Sequence, residues 1–100
     1  MNTENKADLK REIIRSLKSE REIRRIVLFG SFLSSNHPQD LDIAIFQDSD
    51  KNYLQLAMKY RKKMRHISKD IPLDIIPLKA DGERTAFLDE IAQGEVIYER

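Results

Sequence analysis

The sequence predicts an α/β protein of the α+β kind, a small β-sheet flanked by helices, in the order α-β-β-α-β-α-β. Three observations lead there. Short apolar runs such as residues 26–29 (Ile-Val-Leu-Phe) are rich in β-branched residues and stop at turn residues, which marks buried strands. Longer stretches carry apolar residues every three or four positions, the spacing of one helix face. The chain has 100 residues, enough for one modest core, so residues 1–100 read as one domain.

Residues 4–20 read as the first helix. Leu9, Ile13 and Leu17 recur at spacing four with Ile14 beside them, while Lys, Arg and Glu fill the other faces. Glu4 and Asp8 near its start and Lys18 near its end suit the helix dipole. A charged connector, residues 19–25, leads to the first strand, which stops at Gly30-Ser31. After a polar loop the second strand opens at Asp40. Period-two alternation sets Asp40, Asp42, Ala44 and Phe46 on one face and Leu41, Ile43 and Ile45 on the other.

Residues 47–50 (Gln-Asp-Ser-Asp) carry helix-start chemistry, and a helix to about Ser68 follows. Its stripe of Tyr53, Leu56, Ala57, Tyr60, Met64 and Ile67 is set to pack on the sheet. Residues 70–78 form the third strand, with prolines toward its ends, where the ladder can spare an N–H, and with Asp74 facing the same way as Pro72 and Ile76. Asp81 caps a last helix, residues 83–93, with Ala86, Phe87, Leu88 and Ile91 inward and Gly94 as its stop. Residues 95–99 are the final strand, Val96 and Tyr98 facing opposite to Ile97.

The chemistry gathers at residues 30–42. Asp40 and Asp42 project side by side from the start of an apolar strand, and two like charges so close call for a cation between them. A divalent ion held by oxygen ligands is the usual answer. Gly30 lets backbone approach a ligand closely, and Ser31 adds a hydroxyl and an N–H suited to phosphate oxygens. A phosphate cradle beside a carboxylate pair suggests a metal–nucleotide site. Asp74 alone reads as an exposed edge residue; an adjacent strand would bring it to the same cation.

Other polar residues carry less. His37 reads as a solvated loop imidazole with phosphate contact as the alternative, and His66 complements a helix dipole. Neither has a neighbour at zinc-ligand spacing. Lys59, Arg61, Lys62, Lys63 and Arg65 read as a solvated helix face, or as a docking surface for an acidic partner or RNA.

Gly30-Ser31, then Asp40-Leu41-Asp42 opening a strand, then Asp74 in Pro-Leu-Asp-Ile-Ile-Pro-Leu, resemble the minimal nucleotidyltransferase (MNT) family of the polymerase-β-like superfamily. The resemblance runs from about Ile23 to Glu99 and includes the ending Gly94-Glu-Val-Ile-Tyr-Glu. It implies a small mixed sheet covered by helices, forming one nucleotidyltransferase domain. It implies Asp40, Asp42 and Asp74 as the catalytic and metal-holding residues, with Mg2+ as the ion. Gly30 and Ser31 would orient the phosphates of ATP. Larger members of the superfamily carry a second domain for the acceptor, for which this chain has no room. The implied acceptor is a tyrosine of a HEPN-type toxin, making this chain an adenylyltransferase antitoxin of the MntA-like kind. A rival reading is a binding-only antitoxin. It draws on the stretch between Gly30-Ser31 and Asp40, which is shorter than is usual in the family, at eight residues, and contains no Arg or Gly.

Composition narrows the rest. A formal net charge of +1 gives no global pull toward nucleic acid and leaves an RNA-binding accessory role resting on the basic helix alone. There are no cysteines, hence no disulfide framework or thiolate metal site. No apolar run approaches membrane-spanning length and no signal-peptide core is present, so the expected setting is cytoplasmic, with no membrane partner.

Overall fold

The first helix, α1 (Thr3–Leu17), lays Ile13 and Leu17 fully buried against a sheet whose four strands are β1 (Ile23–Phe29), β2 (Leu41–Gln47), β3 (Leu73–Lys79) and β4 (Glu95–Glu99). A computed structural model describes residues 3–80 and 91–100 of the chain. Strand order is β3-β2-β1-β4. β1 pairs antiparallel with both β2 and β4, and β2 pairs parallel with β3, so the sheet is mixed. The β2–β3 pair is parallel because the chain crosses over through α3 (Tyr53–Lys63) and α4 (Arg65–Ser68) before returning. A further four-residue helix, α2 (Ser31–Ser34), follows β1 directly.

The alternation in β2 sorts the interior into two halves. Leu41, Ile43 and Ile45 join Ile13 and Leu17 of α1, Leu56 and Tyr60 of α3, and Ile67 of α4 in the larger core. Ala44 and Phe46 face the other way, with Val27, Phe29 and Ile91. All of α1, α3 and α4 therefore cover one face of the sheet.

Several boundaries differ from the sequence reading. β1 starts three residues before the predicted strand, at Ile23, which is fully buried and pairs with Gln47; the charged connector is correspondingly shorter. Residues 47–50 do not start a helix. Gln47 ends β2, almost wholly buried, and its Oε1 accepts from both the N–H and the hydroxyl of Ser49, each at 2.6 Å. The helix starts at Tyr53, where Asn52 and Gln55 form a reciprocal capping box. It breaks at Met64, whose φ/ψ of −106/19 leaves the helical range, so the predicted single helix is two.

β3 contains Pro77, with Pro72 just outside; as an edge strand it can lose that N–H to one side. In β4 the pairs Ile26–Tyr98 and Val27–Val96 leave Ile97 as an extra residue. That bulge breaks the predicted alternation, and Ile97 and Tyr98 both pack against the larger core. The predicted last helix, with its Asp81 cap, lies outside the described residues apart from its final turn, where Ile91 is buried.

Candidate active site

Register brings the acidic residues together. Asp42 lies opposite Asp74 across the parallel β2–β3 pair and opposite Phe29 across the antiparallel β1–β2 pair. Asp40 precedes β2 by one residue. One carboxylate oxygen from each of Asp40, Asp42 and Asp74 lies within 4.8 Å of the others. Asp40 and Asp42 are half-buried and Asp74 is exposed, so the group opens to solvent on the Asp74 side. Asp42 shares its face with Ala44, opposite to the face that α1, α3 and α4 cover.

Gly30 follows Phe29 and therefore stands beside Asp42. Its φ/ψ of 78/−155 belongs to a region held almost only by glycine. A Cβ there would come within 2.2 Å of Asp42 Oδ2, so backbone and carboxylate are in close approach. Ser31 is exposed and begins α2. Phe32 plugs into the larger core, fully buried, and anchors the segment. The Lys6 ammonium donates to the carbonyls of Phe32 and Ser35 at 2.6 and 2.8 Å.

The sequence model of the polymerase beta nucleotidyltransferase family matches residues 11–100. The chain belongs to that family. A search of curated proteins finds no significant match. Among solved structures, the chain is similar to one in the complex of tri-AMPylated Shewanella oneidensis HEPN toxin with MNT antitoxin. The likeness has a TM-score of 0.65 at 21% identity, over 95% of this chain and 73% of that one. It is similar also to a chain of a mutant toxin–antitoxin complex, MntA–HpeT, with TM-score 0.64 at 20% identity, over 91% and 73% of the two chains. At these identities the likeness is one of fold.

The acidic group has the chemistry of a divalent-cation site. Two ionised carboxylates 4.8 Å apart, the widest separation in the group, repel by roughly 1 kcal/mol in water and about 3.5 kcal/mol at an effective dielectric of ~20. A cation between them reverses the sign of that term. Oxygens on opposite sides of a magnesium or calcium ion stand about 4–5 Å apart, given ligand distances of roughly 2.0–2.6 Å. The three aspartates fit such an ion.

The basic helix face does not border this group. α3 lies on the other side of the sheet, and Lys59 binds Glu20 and Glu22 at 2.8 and 3.0 Å while Lys63 binds Glu20 at 2.9 Å. These pairs tie α3 to the turn before β1. Glu20 is held below the usual carboxylate range by its hydrogen bond from Lys59. For Glu22, burial pulls upward, yet hydrogen bonds from backbone, Lys59 and Tyr60 hold it low. Tyr60, donating to Glu22 at 2.9 Å, has its phenol pushed well above its usual range by burial and by that carboxylate. The signal for these pairings was present as acidic Glu20 and Glu22 against a basic helix, but nothing in the spacing showed they would meet.

Neither histidine is part of the acidic group. His37 sits exposed on the loop, its N–H donating to Ser35 Oγ at 3.0 Å. His66 is the second residue of the four-residue α4, with Nε2 3.6 Å from Glu12 Oε2. Among the described residues, no helix is long and apolar enough to cross a membrane.

Proposed function

We propose that residues 1–100 act as one nucleotidyltransferase domain that moves AMP from ATP onto a tyrosine hydroxyl of a HEPN-type toxin, and thereby serve as its antitoxin. The observation that carries this reading is the meeting of Asp40, Asp42 and Asp74 beside Gly30 in a chain of this family. Its fold neighbours support the partner: one comes from a complex of a tri-AMPylated HEPN toxin with MNT antitoxin.

Asp40, Asp42 and Asp74 would hold the divalent ion, magnesium, which when bound offsets charge building on the phosphoryl oxygens. Gly30 and Ser31 orient the β- and γ-phosphates through close backbone and a hydroxyl. The acceptor oxygen attacks the α-phosphorus, the bond to the bridging oxygen breaks, and pyrophosphate leaves. Asp74, the most exposed of the three, takes the hydroxyl proton as the new phosphodiester forms. Its exposure leaves room for a protein side chain to approach. The partner docks on the aspartates' side of the sheet, away from α3.

The test is transfer of α-labelled ATP to a co-expressed HEPN-type protein. Label on that protein, lost with Asp42→Asn, is the expected result. Inhibition of the toxin without label would instead establish an antitoxin that works by binding alone, the reading that the short segment after Ser31 favours.

A further inference from the structure

We infer that Lys6 is a positioning residue for the nucleotide, holding α2 from the side so that Gly30 and Ser31 keep their place against Asp42. The inference rests on the phosphate role proposed above for Gly30 and Ser31. Four residues are too few for a helix to hold itself, since nucleation fixes several residues for one hydrogen bond. The segment's own bonds include Leu33 N–H to Gly30 O at 3.2 Å and Ser35 N–H to Ser31 O at 2.8 Å. Something outside has to fix it.

Lys6 supplies that support. Its ammonium donates to Phe32 O at 2.6 Å and to Ser35 O at 2.8 Å, bridging the middle of α2 and the residue that ends it. It also stands 5.1 Å from the centroid of the Phe32 ring, which is fully buried beneath. The segment is thus gripped from two sides, by Phe32 in the core and by a cation on its carbonyls. Two of the three ammonium donors are spent on backbone, so Lys6 acts through α2.

The segment from Phe32 to the residue before Asp40 has no Arg, and the cation on its carbonyls comes from α1. The contacts span 26 and 29 residues of sequence. Lys6 also lies outside residues 11–100, the part that the family model covers.

Lys6→Met keeps the length of the stem and its cover over Phe32 while deleting the donors, and Lys6→Arg restores cation and donors. ATP affinity of the whole chain is measured by calorimetry with magnesium present, alongside melting temperature and the KM and kcat of transfer. Lys6→Met should bind ATP about tenfold more weakly, the scale of one charge-assisted hydrogen bond. KM should rise more than kcat falls, the melting temperature should stay within a few degrees, and Lys6→Arg should recover most of the affinity. In a Ser31→Ala background the Lys6→Met loss should shrink, because both act through one segment. Lys6→Met binding ATP like wild type, additive losses in that cycle, or a Lys6→Met chain that fails to fold would each overturn the positioning role. A wild-type chain that binds no ATP would refute the phosphate role of Gly30 and Ser31 itself, and this inference with it.

Discussion

Replacing Gly30 by alanine adds one carbon at the point where β1, α2 and the Asp42 carboxylate converge. The new Cβ would stand 2.2 Å from Asp42 Oδ2 and 3.3 Å from Asp42 Cγ. To regain ordinary contact the carboxylate has to retreat by about 1 Å, and a misplacement of that size costs on the order of 100-fold in rate. The backbone adds strain, because φ 78 with ψ −155 is a glycine conformation, and holding alanine there costs about 1–3 kcal/mol. Each kcal/mol lowers the melting temperature of a chain this size by roughly 4–8 °C. The assay pairs a melting curve with the rate of AMP transfer at saturating ATP. Gly30→Ala should stay folded at 20 °C, melt several degrees lower and transfer at roughly one hundredth of the wild-type rate. A Gly30→Ala chain that transfers at the wild-type rate would refute the claim that Asp42 acts from its present position.

Two further outcomes follow from the same geometry. Asp42→Asn should abolish transfer and any magnesium-dependent rise in melting temperature without unfolding the chain, whereas Ser31→Ala should cost only about 1.5–3 kcal/mol of triphosphate use; steady-state kinetics that reverse this order would sink the assigned roles. Glu20 and Glu22 have lowered folded pKa values, so they bind fewer protons folded than unfolded. Their contribution to stability is therefore present above the unfolded value and lost as pH falls through the folded one, below about pH 4.3. Lys59→Met should flatten that acid limb of the stability curve, and a curve unchanged in urea titrations between pH 3 and 6 would mean the pairs contribute nothing.

The parts of the fold legible in the sequence were those with a strong period. The β2 alternation separates Asp42 and Ala44 from Leu41, Ile43 and Ile45, and the structure sets these groups on opposite faces. What pairs Asp42 with Asp74 is strand register, which one sequence does not display. α2 escaped notice because four residues show no period. The helix start shifted because Gln47, Asp48, Ser49 and Asp50 offer capping side chains in turns as readily as in helices, and here Ser49 bonds back to Gln47. The break at Met64 has no Gly or Pro to announce it. The basic run on α3 was legible as charge, but its use was not, because Glu20 and Glu22 reach it only through the fold.

We propose that three aspartates, with the segment that Gly30 opens, make this chain an enzyme acting on another protein. That activity is tested most directly by intact-mass and peptide mass spectrometry of a HEPN-type partner co-purified with the wild-type chain and with Asp42→Asn. One or more AMP increments are expected on a partner tyrosine with the wild type and none with the variant. An unmodified partner, bound and silenced equally by both chains, would contradict it.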